Sequence, residues 1–149
     1  NEEESISMQN TIITLCGSGK YRTLIHGISD ALKEQGFIVL PPPLHDLPGL
    51  TTQSTEEGKL LAWKGATFAH LNRIHKADVC LMVNPDGYLG YSSTLELGYA
   101  VSLGKLIVAL EHDKDERARE GLFDIVLETV DRALVVEKVI NILKPSFIN

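Results

Sequence analysis

Cysteine is scarce in this chain: two residues in 149, Cys16 and Cys80, both inside apolar runs that read as strands. Such thiols read as reduced core residues rather than a disulfide framework. None of the five histidines, His26, His45, His70, His75 and His112, has a cysteine at ligand spacing, so no metal site is expected. Basic residues are outnumbered, 14 Lys plus Arg against 20 Asp plus Glu, for a net charge of -6. That balance disfavours a nucleic-acid backbone or an anionic membrane as partner, and leaves room only for a local basic pocket that takes one phosphate. Long hydrophobic runs are missing too. Those present are strand-sized, far short of the roughly 20 residues that span a bilayer, and the opening Asn-Glu-Glu-Glu does not resemble a signal peptide. The expectation is a cytoplasmic protein with no membrane partner.

What is present is an ordinary globular mixture, 44% hydrophobic and 23% charged, which excludes disorder, collagen-like repeats and a coiled coil. At 149 residues it suits one domain, expected over 11–149 after a frayed segment 1–10. A β-branched run over 11–16 predicts the first strand, followed by Gly17-Ser18-Gly19-Lys20. Leu24, Ile25, Ile28, Ala31 and Leu32 then repeat at helical spacing up to a capping Gly36. Residues 37–40 read as a second strand, and Pro41, Pro42 and Pro43 open a loop to about Thr52. A capping-box pattern at 54–57 starts a long helix with a broad stripe of Leu60, Leu61, Trp63, Ala66, Phe68, Ala69, Leu71 and Ile74. The later strands fall at 78–84, 106–110 and 124–129, with a charged loop over 111–121. Asp131 caps a last helix, whose face carries Leu134, Val135, Lys138, Val139, Ile142 and Leu143 and which Pro145 ends.

Strands alternating with helices predict an α/β fold, a three-layer sandwich around a five-stranded parallel sheet. The expected strand order is 2-1-3-4-5, flavodoxin-like or Rossmann-like, with a ligand crevice at the carboxyl ends of strands one and three. The loops at 17–21 and 84–94 would meet there.

Three motifs fall in those loops. Gly17-Ser18-Gly19-Lys20 lacks the first glycine and the Ser or Thr of a phosphate-binding P-loop, since Thr14 and Tyr21 stand in those places. It reads either as a generic anion cradle or as a tight turn. Gly87 and Gly90 would permit positive φ and a close ligand approach, or simply a turn. Ser92 or Ser93 reads as a helix N-cap, which puts Glu96 in the first turn, where the helix dipole favours a charged carboxylate suited to nucleophilic attack. Asp78, at the head of a strand, reads as ordering backbone.

Taken together, "LCGSGKY", "HLNRIHKADVCLMVN" and "NPDGYLGYSSTLELGYAVSLGKLI" resemble the nucleoside 2-deoxyribosyltransferase superfamily, which includes nucleoside 5'-monophosphate N-glycosidases. The likeness spans about residues 12–110, and its third block is the specific one. It implies cleavage of the N-glycosidic bond of a nucleoside or nucleotide, with Glu96 matching the nucleophilic glutamate and with transfer to a base or to water. It further implies catalytic roles for Tyr21, which would hold the sugar or the nucleophile, and for His70, which would assist the leaving group or activate water. Substrate contacts are expected from Gly17, Ser18, Lys20, Asn84, Asp86, Gly87, Gly90, Ser92 and Ser93. No cofactor is implied. The better-known transferases place an aspartate shortly before the nucleophile, whereas this chain has Gly90, Ser92 and Ser93. These, with Ser18 and Lys20, suit a 5'-phosphate.

Two other readings compete. A non-catalytic nucleotide-binding or sensor domain has the same architecture. A phosphoribohydrolase of the lysine-decarboxylase-like family ranks lower, because its Pro-Gly-Gly-x-Gly-Thr-x-x-Glu loop does not fit Asn84-Pro-Asp-Gly-Tyr-Leu-Gly-Tyr. Trp63 and Phe68 on the long helix suggest a symmetric contact and hence a homodimer or homotetramer.

Overall fold

The structure, a computed structural model, describes residues 10–42, 55–115 and 117–144. Segment 1–9, most of the proline loop, Ser54 and Pro145 lie outside the described residues. Five strands form one parallel sheet in the order β2-β1-β3-β4-β5, as the alternating pattern predicted. They are β1 (Ile12–Gly17), β2 (Ile38–Leu40), β3 (Val79–Val83), β4 (Leu106–Ala109) and β5 (Ile125–Val126). The helices are α1 (Arg22–Glu34), α2 (Glu56–Lys76), α3 (Tyr91–Ser102), α4 (Arg117–Glu120) and α5 (Arg132–Leu143), with 3-10 turns at Gly19–Tyr21 and Pro85–Gly87.

The period-two alternation of the strands splits the core into two faces. Ile13, Leu15, Leu81 and Val83 pack with Ile25, Ile28 and Leu32 of α1 and Val135 and Val139 of α5. On the other face Cys16, Cys80, Met82, Ile107 and Ala109 meet Ile74 of α2 and Leu97 and Ala100 of α3. Cys16 thus faces the same side as α2 and α3, a parity that decides what it touches.

Acidic side chains order the strand edges. Asp78 Oδ2 accepts from the Ile12 amide at 2.8 Å, and Asp124 Oδ2 accepts from the Ile107 amide at 2.7 Å. Asp131 caps α5 by accepting from the Leu134 amide at 3.0 Å.

Several expectations shift. The N-cap of α2 is Thr55, accepting from the Gly58 amide. Only His70 and Ile74 of α2 are buried, while Leu60, Leu61, Trp63 and Phe68 stay exposed. A helix of 21 residues runs about 31 Å and overshoots strands of six residues or fewer, roughly 20 Å, so only its last part reaches the sheet. In α5 the buried face carries Val136, and Leu134 is exposed. The loop at 111–121 contains α4, and β5 narrows to two residues. No described helix is long and apolar enough to cross a membrane.

Candidate active site

Gly17 ends β1 beside Val83 of β3, and here glycine is required: a Cβ would stand 2.8 Å from the Val83 carbonyl oxygen. The chain then turns at Ser18, whose hydroxyl accepts from the Lys20 amide at 3.3 Å. From the other strand, Asn84 leads into the turn at Pro85–Gly87, with Asp86 at φ 58 and Gly87 at φ 71. A side chain at Gly87 would collide with the backbone of His112 and Lys114, so this glycine serves a close approach of chain to chain.

Helix α3 is capped by Gly90, at φ -80 and ψ -176, rather than by Ser92 or Ser93. Gly90 is extended, not at positive φ. The two serines occupy the first turn, and Glu96, sixth in the helix, lies in the second. The dipole argument for its charge therefore weakens, because that field fades within the first turn. Arg119 of α4 holds this helix start: its Nη1 donates to the Leu89 carbonyl and the Thr94 hydroxyl, each at 3.1 Å. Its Nε and Nη2 meanwhile grip the buried Asp113 carboxylate at 2.8 and 3.0 Å. Nothing in the sequence singled out this brace within a run of charges.

A cleft of ≈ 250 Å³ opens between α2, α3 and the end of β1. It is lined by Gly17, Ser18, Gly19, His70, Gly90, Ser92, Ser93 and Glu96, with Pro42, Trp63, Ala66, Thr67 and Tyr91 completing its walls. That is slightly below the usual range for small-molecule sites, about 300–1,000 Å³. Sequence reasoning passed over Trp63, as a cleft residue, and Thr67.

Lys20, Tyr21, Asn84, Asp86 and Gly87 are not among the described lining residues. The Lys20 ammonium sits 3.5 Å from the Tyr88 ring centroid, and the Tyr21 hydroxyl donates to the Pro85 carbonyl at 3.2 Å. Asn84 is fully buried. Its Oδ1 accepts from the Leu110 and Glu111 amides, each at 3.0 Å, and its Nδ2 donates to the Glu111 carbonyl at 2.8 Å. Lys20, Tyr21, Asn84 and the Gly87 carbonyl, which accepts from the Lys114 amide at 3.1 Å, tie the β1, β3 and β4 ends together.

At the cleft floor three elements converge. His70 Nε2 of α2 lies 3.5 Å from Glu96 Oε2 of α3 and 3.5 Å from Cys16 Sγ of β1. The His70 side chain is 3% exposed and Glu96 17%, so the carboxylate meets the cleft with the imidazole behind it. At 3.5 Å the His70–Glu96 contact is long for a hydrogen bond, which places the imidazole as an electrostatic neighbour of the carboxylate, whereas the same distance to sulfur is an ordinary hydrogen-bond contact. His70 Nδ1 is buried without a partner. The tautomer that fits carries its proton on Nε2, toward Glu96, and leaves Nδ1 a bare acceptor. Burial first, and the charge of Glu96 second, push the Cys16 thiol well above its ordinary range, so it is protonated at neutral pH. Burial likewise pushes Cys80 up to about 12. The sequence search for cysteine near histidine failed here because the sheet, not the spacing, brings Cys16 to His70.

Beside α4, His112 is hydrogen-bonded through its two ring nitrogens to Glu120 and Glu128, which raises its pKa to about 8. A folded-state value above the ordinary ~6.5 stabilises the fold fully below about pH 6.5, and that contribution is lost as pH rises through about 8. The exposure of the cluster keeps the effect small. Melting temperatures measured from about pH 6 to about pH 9 should fall more steeply for the parent than for His112→Gln. Parallel curves would contradict this.

No family model and no curated protein sequence matches the chain. Among solved structures, it is similar to the 2-deoxyribosyltransferase of the psychrotolerant bacterium Bacillus psychrosaccharolyticus, described as a biocatalyst for nucleoside synthesis. The TM-score is 0.63 at 19% identity, covering 92% of this chain and 100% of that one. A conserved protein of Enterococcus faecalis V583 matches with a TM-score of 0.55 at 13% identity, over 87% of this chain and 98% of its own. The chain has the nucleoside 2-deoxyribosyltransferase-like fold.

Proposed function

We propose that this protein cleaves the N-glycosidic bond of a (deoxy)nucleoside or nucleoside 5'-monophosphate, with Glu96 as nucleophile and a base or water as acceptor. The observation that carries this reading is the Glu96 carboxylate, partly exposed on the floor of a small cleft with His70 behind it. One carboxylate oxygen attacks C1', the C1'–N bond breaks, and the base leaves with the bonding pair and takes up a proton from water in the cleft. The acceptor then attacks C1' of the glycosyl ester and frees the carboxylate, so two inversions give net retention. His70, almost wholly buried, orients and polarises Glu96 in this scheme rather than reaching the leaving base. Tyr21 acts at one remove, by holding the turn after β1 against Pro85.

Glu96 is the sole Asp, Glu, Lys or Arg among the described lining residues, and Ser18, Ser92 and Ser93 supply hydroxyls at the ends of β1 and α3. This serine-lined end suits a 5'-phosphate or a ribose hydroxyl. Incubation with nucleosides and their 5'-monophosphates, with and without a free acceptor base, should release or exchange base, faster for the monophosphate. A higher kcat/KM for the unphosphorylated compound would overturn the phosphate preference, and no base released from any of them would overturn the reaction itself.

Trp63, Phe68, Tyr91 and Leu95 leave exposed apolar surface on α2 and α3 near the cleft. A homodimer or homotetramer that covers this surface is part of the same proposal. Sedimentation at micromolar concentration should show an oligomer, and a monomer there would rule it out.

A further inference from the structure

We propose that Cys16, His70 and Glu96 form a binding site for a thiophilic divalent cation, Zn2+ in the first instance, and that the bound cation blocks Glu96. The blocking half rests on the reading of Glu96 as nucleophile; the site itself does not. One sulfur, one imidazole nitrogen and one carboxylate oxygen, all within 4.8 Å of one another, make a donor set of the kind Zn2+ takes. Ligand atoms about 2.0–2.3 Å from a tetrahedral Zn2+ stand about 3.3–3.6 Å apart. The Sγ···Nε2 and Nε2···Oε2 separations, both 3.5 Å, already match two edges of that tetrahedron. The third separation, from Cys16 Sγ to the Glu96 carboxylate, lies within 4.8 Å.

Charge favours occupancy. With Cys16 as thiolate, Glu96 as carboxylate and His70 neutral, a divalent cation makes the buried group neutral overall, where an unpaired ion would be costly. The Cys16 S–H bond breaks, its proton goes to solvent, and the sulfur lone pair is donated to the metal, so binding strengthens as pH rises. The His70 proton moves from Nε2 to Nδ1, which has no acceptor, and this weakens the site relative to zinc centres with a complete outer sphere. Three protein ligands leave a fourth position for water or a molecule in the cleft. A cation on the Glu96 carboxylate draws off its negative charge and so weakens its attack at C1'. The exposed cluster of His112, Glu120 and Glu128 offers nitrogen and oxygen donors but no thiol.

Titration of the full chain with Co2+ alone should produce a thiolate-to-cobalt charge-transfer band that saturates at one equivalent and is displaced by Zn2+. The band should vanish in Cys16→Ala and in Cys16→Ser, whichever circular dichroism shows to be folded, and persist in Cys80→Ala and His112→Gln. Loss of an outer-sphere partner already costs about 10–100-fold in affinity, so His70→Gln, which removes a direct ligand, should weaken Zn2+ at least as much. No band, or a band that survives the loss of Cys16, overturns the site. Saturating Zn2+ should also suppress base release, reversibly on chelation; undiminished turnover at saturation overturns the blocking. A Co2+ band in a protein that releases no base, with or without metal, upholds the site and removes the glycosidic reading instead.

Discussion

Glu96→Gln is expected to lower base release by about a thousandfold or more, because an amide of the same shape has no charged lone pair with which to attack C1'. The melting temperature should stay within about 3 °C of the parent, since Glu96 is partly exposed and its contact with His70 is long, so little stability is at stake. A non-catalytic nucleotide-binding domain gives the opposite pattern, in which Glu96→Ala leaves ligand affinity and biological effect intact. Turnover of Glu96→Gln within about tenfold of the parent would remove the carboxylate from the chemistry.

Asn84→Ala has the second large effect, and it falls on stability. The substitution strips the Glu111 amide of its acceptor and the Glu111 carbonyl of its donor, while the Leu110 amide keeps the Met82 carbonyl at 3.2 Å. Each of the two groups left unmatched costs on the order of 1 kcal/mol or more, so the loss should be about 2 kcal/mol. That corresponds to roughly 4–8 °C in melting temperature for a chain of this size. Asn84 crosses from the end of β3 to the start of the loop after β4, and this brace seats the turn that leads into α3. Denaturant unfolding should show a lower midpoint with an unchanged slope. A midpoint equal to the parent's would mean that the brace contributes nothing.

The architecture was legible in the sequence because a parallel sheet writes itself as short apolar runs alternating with helical stripes. The five runs and the helices between them led directly to the observed strand order. Glu96, Ser18, Ser92 and Ser93 could be placed at one crevice for the same reason, since the ends of β1 and β3 adjoin in that order, whereas His70 was singled out only by the family resemblance. What escaped depends on side-chain direction rather than on pattern. The apolar stripe of α2 does not reveal that the helix overshoots the sheet, and serines before a helical run do not reveal that Gly90 caps it. Cys16 follows from strand parity only once α2 and α3 are assigned to the same face. Arg119 reaches Thr94 and Leu89 from a stretch that reads as undifferentiated charge.

The most direct measurement is mass spectrometry of the protein after reaction with a 2'-fluorinated nucleoside or its 5'-monophosphate, whose electron-poor sugar slows breakdown of a glycosyl ester. Peptide analysis should find one sugar equivalent attached to Glu96, and none in Glu96→Gln. Release of base with no adduct on Glu96, or with the sugar on another residue, would contradict a covalent step at this carboxylate.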